Sequence, residues 1–483
     1  MLSMKNKYFL LFSLLLLLGR TDAQSRNEQF SQLMTTYHDY NMFDGAVLVA
    51  EQGQIVYQEA FGMANREWNI PNKVDTRFMI GSVSKPLTAM LVLVYVQKGL
   101  INLDKTLSDY LPEFKNKPAG IVTIRQLLSH TSGMPNYDIM KNFFPEISRR
   151  AFTREEYFNI YRDSALAFTP GTRYYYSSWG YFTLGYLVEK ISGKSYAQAM
   201  KEEIFDKAGM TQSGSYHHTQ VVPNRATGYD YVLGGYQSAD FRDQSNTMGT
   251  GDIYSTVEDL FKFHLAISNN SLIGKELSNE MLRAGIAPAN YGFGWFNKPF
   301  KYTDRDSVFT NFHLGMTEGF VSFIRRIPAT NSMVLILCNS SPTDFFGICN
   351  NLVKILYGQS VKVKQPIHKK METLIAEKGT ARAVEEFQLL KKDTARYYAD
   401  RISLCFLAEQ LLTMKRVEDA RLMAENNIAE FPSFDMANCI LGNVYLQLGR
   451  KEEAALYYRK TLKISPFYEE ARSRLKEMGM ADQ

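Results

Sequence analysis

The chain has 483 residues, is 45% apolar and 22% charged, and carries a formal net charge of +5. That length exceeds one ordinary core and predicts two or three domains, and the composition excludes a disordered chain. The charge is too dilute to mark a nucleic-acid partner or a membrane surface.

The chain opens with Lys5 and Lys7, an apolar run from Tyr8 to Leu18, and Thr21-Asp22-Ala23. This order predicts a secretory signal peptide over 1–23, cleaved after Ala23, and an exported protein, periplasmic or extracellular. The run is shorter than the roughly 20 residues a bilayer span needs, so no membrane span is expected. No cysteine lies at the cleavage point for a lipid anchor, and the mature chain keeps about +3.

From about Asn27 to Phe43 the apolar spacing predicts an amphipathic helix. Gly45–Ala50 and Gln54–Glu59 flank Gln52-Gly53 and read as a β-hairpin. A helix from near Val83 to about Gln97 follows, then mixed helix and loop from about Leu103 to Leu282. Strand patterns return at Phe309–Gly315, Phe320–Arg326 and Met333–Leu337, before a helix from about Asp344 to Tyr357. Strands at both ends with helices between predict an α+β domain over 24–360. Its single antiparallel sheet is built from both termini and flanked by helices, with an inserted helical subdomain and a groove between the two layers.

A basic, turn-rich stretch at 361–370 reads as a linker. Beyond it, over 371–483, a 34-residue period matches the tetratricopeptide pattern. Leu441-Gly442, Tyr445, Ala454, Tyr458 and Pro466 are preceded one period earlier by Leu407-Ala408, Leu411, Ala420, Ala424 and Pro432. The stretch 371–398 is expected to supply a degenerate first repeat. Such an all-α array implies a protein or peptide partner. Cys405 and Cys439 fall at equivalent positions of adjacent repeats, too far apart for a disulfide, and are expected as thiols; Cys338 and Cys349 are left open.

The strongest chemical signal is Ser82-Val83-Ser84-Lys85. Residues three apart share a helix face, so the Ser82 hydroxyl and the Lys85 amine meet. Pro86 is tolerated only within a first helical turn, which puts Ser82 at the positive helix end. A lysine held there in a dry site loses its proton and serves as a base. His217-His218 suggests a metal pair, but on an extended segment the two rings point to opposite faces, and no metal site is predicted.

Further motifs follow in order: Leu127 to Gly133, including Ser129-His130-Thr131-Ser132; Tyr174-Tyr175-Tyr176-Ser177-Ser178; Gly249-x-Gly251-Asp252 with Ser255; and Phe312-His313-Leu314-Gly315. Together with Ser82 and Lys85 they resemble the class C β-lactamase-like serine hydrolases, a family of penicillin-recognising D-amino-acid peptidases and esterases, over about Gly45 to Gly358. The resemblance implies a β-lactamase/transpeptidase-like fold and no cofactor. It implies Ser82 as acylated nucleophile, Lys85 as its proton partner and Tyr176 as general base, its pKa lowered by Lys85 and by His313 if protonated. It also implies an oxyanion hole from the backbone N–H groups of Ser82 and Met316, with Gly315 and Ser178 lining the substrate site. His130 is expected to shape the groove floor. Tyr291-Gly292-Phe293-Gly294-Trp295 is expected as a groove strand, while Tyr174, Tyr175 and Trp179 fit either a substrate pocket or the core.

Two departures bear on substrate. Ser178 stands where β-lactam-processing relatives carry asparagine, and His313-Leu314 replaces their Lys-Thr, removing a permanent cation and a hydroxyl. The expected activity is ester or amide hydrolysis, esterase or D-amino-acid peptidase above true β-lactamase, on a small-molecule or peptide substrate. The alternative is an inactive penicillin- or peptidoglycan-binding module coupled to the repeats, which only the change at Ser178 favours.

Overall fold

The structure, a computed structural model, describes residues 26–341 and 344–481; the signal-peptide segment lies outside them. No helix among the described residues is long and apolar enough to cross a membrane. The chain forms two compact units. One runs to Asp230 and resumes from Ser238 to Val361; the other takes Tyr231–Gln237 and Lys362 onward.

The first unit opens with helix α1 (residues 26–39), whose Phe30, Leu33, Met34 and Tyr37 are buried. Strands β1 (Gly45–Glu51) and β2 (Gln54–Phe61) follow, then α2 (Ser84–Gln97), entered through a tight 3-10 turn at Gly81–Val83. Helix α2 is buried from Ser84 to Tyr95. Apolar on every face, it runs through the core rather than along a surface. Next come α3 (Ile124–Leu128), α4 (Arg154–Tyr161) and α5 (Ser178–Ser192). A hairpin of β3 (Tyr229–Val232) and β4 (Gly235–Ser238) precedes α6 (Val257–Ser268). The unit closes with β5 (Phe296–Lys301), β6 (Ser307–Thr317), β7 (Phe320–Ile327), β8 (Ser332–Cys338) and α7 (Phe345–Leu356).

The main sheet has the order β5-β6-β7-β8-β1-β2, and every neighbouring pair is antiparallel. Strand β1 lies beside β8 with Leu48 opposite Leu335, so the sheet is closed by the two ends of the unit, with the helices inserted between. Strand β5 pairs with β6 only from Ser307 to Phe312. The remainder of β6, from His313 to Thr317, has β7 on one side and turns its other edge toward the Ser82 turn.

In the second unit Tyr231–Gln237 joins α8 (Ile367–Lys378), α9 (Thr380–Leu390), α10 (Arg401–Thr413), α11 (Val417–Glu430), α12 (Asp435–Gln447), α13 (Lys451–Ile464) and α14 (Glu469–Glu477). The first helix starts at Ile367, inside the stretch read as linker. Ile367 and Met371 are buried, and so is Lys369, which pairs with Glu372 at 3.1 Å and lies 4.5 Å from the Tyr231 ring centroid. A basic residue facing inward hides the helical periodicity from the sequence. Small residues let the helices approach: a Cβ on Gly442 would stand 2.7 Å from the Tyr458 ring. All four cysteines are buried thiols.

Candidate active site

Ser82 sits in the turn Gly81–Val83 and is partly open, while Lys85 on the first turn of α2 is fully buried. The Lys85 Nζ lies 3.0 Å from Ser82 Oγ and donates to the Thr250 carbonyl at 3.0 Å. Burial pushes Lys85 well below its ordinary pKa, the Arg242 charge adds to the shift, and Asp252 opposes it. Desolvation disfavours the ammonium and so favours the basic form of the amine next to Ser82.

The turn is fixed from two sides. The Ile80 N–H donates to the Ile253 carbonyl at 2.9 Å, and the Ile253 N–H donates to Ser84 Oγ at 3.3 Å. That brings the 249–252 turn, and with it the Thr250 carbonyl, beneath Lys85. On the other side β6 passes close by. Gly81 has φ +47°, and a Cβ there would stand 2.8 Å from the Met316 N and O. A Cβ on Gly315 would stand 3.0 Å from the Ser82 N and 2.1 Å from the Ile80 carbonyl. The two glycines allow the backbones of Ser82 and Met316 to share one small space, as an oxyanion hole requires.

Tyr176 lies just before α5, in the loop whose Ser177 hydroxyl caps that helix at the Gly180 N–H, 3.1 Å away. The loop is held by His130, whose Nδ1 accepts the Ser177 N–H at 3.1 Å and whose ring packs 4.3 Å from that of Tyr176. His130 supports the groove floor, as expected from its motif. Lys85 Nζ lies 4.8 Å from the Tyr176 ring centroid. Burial raises the Tyr176 pKa well above its ordinary value, and its hydrogen bond with Ser82 offsets this only in part. The expectation of a pKa lowered by neighbouring cations is not met, because the dry pocket that disfavours a charged Lys85 also disfavours a tyrosinate.

His313 provides no cation either. Burial pushes its pKa down to about 3, leaving it neutral, and a protonated Lys85 would lower it further. Its Nδ1 lies 2.7 Å from the Leu314 carbonyl, which only accepts, so Nδ1 carries the proton. Nε2 then accepts from the Tyr291 hydroxyl at 3.0 Å. Tyr291 was missed as a site residue. The segment Tyr291–Trp295 is a turn with one bridge, Tyr291 to Phe296, rather than a strand. Its two glycines make a tight reversal that presents the tyrosine edge-on to His313.

The Ser178 N–H donates to Asn136 Oδ1 at 2.9 Å, so a buried carboxamide from another loop stands beside the serine. Trp179 is core: it stacks on Tyr161 at 4.9 Å and donates to the Tyr157 hydroxyl at 3.2 Å. Tyr174 packs against His130 and Tyr291, and Tyr175 donates to Asp138 at 2.9 Å. His217 and His218 do not diverge: their rings are 4.4 Å apart on a turn closed by Gln220 N–H to His217 carbonyl, and His218 faces Asp243 at 3.3 Å. Among the described residues no group of three ligands forms a metal site.

A serine and a buried lysine 3.0 Å apart at a helix start, flanked by a tyrosine loop and an open strand edge, fit a β-lactamase/transpeptidase-like serine hydrolase. Residues 27–357 match the family described as Beta-lactamase, and the chain belongs to it. It is 30% identical over 377 residues to Penicillin-binding protein 4* of Bacillus subtilis (strain 168), over 73% of this chain and 81% of that one. It is 29% identical over 288 residues to Esterase EstB of Burkholderia gladioli, over 52% and 73% of the two chains. The solved structure of the penicillin binding protein from Bacillus halodurans superposes with a TM-score of 0.58 at 26% identity, over 68% and 98%.

Proposed function

We propose that the protein is an exported hydrolase that cleaves an ester or amide through an acyl-enzyme on Ser82, as an esterase or D-amino-acid peptidase rather than a β-lactamase. The observation that carries this reading is the 3.0 Å approach of a buried Lys85 amine, its pKa pushed well down by desolvation, to a solvent-reachable Ser82 hydroxyl. As Ser82 Oγ attacks the carbonyl carbon, its proton passes to the Lys85 Nζ lone pair. The carbonyl oxygen becomes an oxyanion held by the N–H groups of Ser82 and Met316. Tyr176, neutral and hydrogen-bonded to Ser82, gives its proton to the leaving atom and regains one from Lys85. Water enters by the reverse route and frees the acid.

Discrimination against β-lactams is supported by neutral His313 and by the absence of an amide side chain at position 178. A relative named as an esterase agrees with this choice. We assign 1–23 to a removable signal peptide on its basic, apolar and small-residue order. We assign the helices from Ile367 onward to tetratricopeptide-like repeats that bind a peptide or protein. Support comes from helix starts one period apart, Arg401 with Asp435 and Val417 with Lys451.

A fluorophosphonate probe and a fluorescent penicillin, applied to wild type and Ser82→Ala, test the mechanism. Labelling by the fluorophosphonate that vanishes in the variant is expected. If neither probe labels Ser82, the acyl-enzyme is refuted. Mass measurement of the secreted protein should place its first residue at Gln24.

A further inference from the structure

His313 leaves the groove without the cation that a lysine would supply, yet the guanidinium of Arg242 stands near the end of the strand that carries His313. Arg242 follows β4, and its Nε donates to Asn246 Oδ1 at 2.9 Å. Its guanidinium carbon sits 5.8 Å from the Tyr137 ring centroid and 5.6 Å from that of Phe143. Among the described residues the one carboxylate in ion-pair range is Glu318, 3.7 Å from Nη1, which is beyond hydrogen-bond distance. The other Glu318 oxygen is taken by the Thr317 hydroxyl. Glu318 stands two residues beyond Met316, so Arg242 reaches from the Tyr137 loop toward the strand edge that flanks Ser82. Its charge is felt at Lys85, where it ranks second only to burial.

A purely structural ion pair would be shorter and hydrogen-bonded. Here the side chain is only 10% exposed, its guanidinium lies near two aromatic rings, and the planar Nη1–Nη2 edge makes no hydrogen bond among the described residues. A guanidinium held in that state is preorganised for a planar anion.

We propose that Arg242 is the anion-recognition residue of the groove, binding a carboxylate on an ester or amide substrate through Nη1 and Nη2. The inference rests on Ser82 as nucleophile and narrows the esters and amides of the proposed function to those whose carboxylate lies within reach of Arg242 rather than of position 313. Tyr137, with the half-exposed Phe144 packed 5.4 Å from it, places an apolar or aromatic moiety next to the anion. Glu318 is the competing anion that such a substrate displaces.

Two pairs of esters test it. p-Nitrophenyl butyrate is compared with the p-nitrophenyl monoester of glutaric acid, which puts the carboxylate on the acyl chain. Phenyl butyrate is compared with 3-carboxyphenyl butyrate, which puts it on the leaving group. In wild type one charged ester should exceed its neutral partner in kcat/KM. That ratio should fall by about tenfold or more in Arg242→Ala, mainly through KM. It should fall less in Arg242→Lys and rise in Glu318→Gln. Should Arg242→Ala fail to fold, the Lys and Gln variants decide by the direction of the ratio. The proposal is overturned if both ratios are unmoved in the Arg242 variants, or if Glu318→Gln lowers the ratio as they do. Ser82→Ala separates the two layers: without Ser82-dependent turnover of any ester the hydrolase reading falls, whereas turnover with no Arg242-dependent ratio removes only this inference.

Discussion

Replacing Gly81 by alanine tests the idea that two backbones meet at Ser82. The residue has φ +47°, and its added Cβ would meet the Met316 N and O at 2.8 Å and the Met316 carbonyl carbon at 2.9 Å. The left-handed conformation costs about 1–2 kcal/mol and forced overpacking about 1–3 kcal/mol more, so unfolding should become easier by roughly 2–5 kcal/mol. The contacted atoms are backbone, so relief comes only from β6 withdrawing from the turn. An oxyanion donor moved out of place lowers kcat by about 10²–10³. Gly99→Ala is the control: its φ is +72°, but a Cβ there meets nothing within 4 Å. It should share the conformational penalty and keep kcat. Thermal unfolding and Ser82-dependent ester hydrolysis read both effects. If Gly81→Ala keeps kcat within about threefold of wild type, or Gly99→Ala loses as much, the argument from close approach is wrong.

In the proposed mechanism the neutral amine of Lys85 is the reactive form, so fluorophosphonate acylation should be lost as pH falls through the depressed Lys85 pKa and stay flat above it. Asp252, whose own pKa burial pushes up to about 6, acts on Lys85 in the raising direction. Asp252→Asn should therefore move the acid limb to lower pH; movement upward contradicts the assignment. Tyr291→Phe removes the donor to His313 Nε2 and leaves a buried acceptor unsatisfied, an effect of about 1–3 kcal/mol on unfolding. An unchanged melting temperature in that variant would show that the bond carries no stability.

Features that depend on local spacing were legible in the chain. The hairpin around Gln52-Gly53 and the strands β6, β7 and β8 follow from alternation and turn residues. Ser82 and Lys85 meet because helix geometry puts every i and i+3 pair together. Tyr176 was reached by resemblance, since nothing local ties it to residue 82. The Thr250 carbonyl could not be found, because a backbone acceptor has no side-chain signature. Asn136, Tyr291 and Arg242 lie on loops whose positions depend on tertiary packing, and their types are common. The sense of the Tyr176 shift was misjudged for a similar reason: charge neighbours can be guessed from a motif, but the depth of burial that outweighs them is a property of the folded core.

The second unit contains Tyr231–Gln237, whose Leu233 is buried in the core shared with Ile367, Met371 and Leu374. During synthesis this short hairpin tip leaves the ribosome long before the helices that bury it. It must wait with Leu233 exposed until the chain from Lys362 onward has emerged. Completion of the helical core is thus a late event on the ribosome, and a transcript ending near Val361 would yield a protein with a permanently uncovered leucine on β3–β4, a handle by which quality control could recognise an unfinished chain.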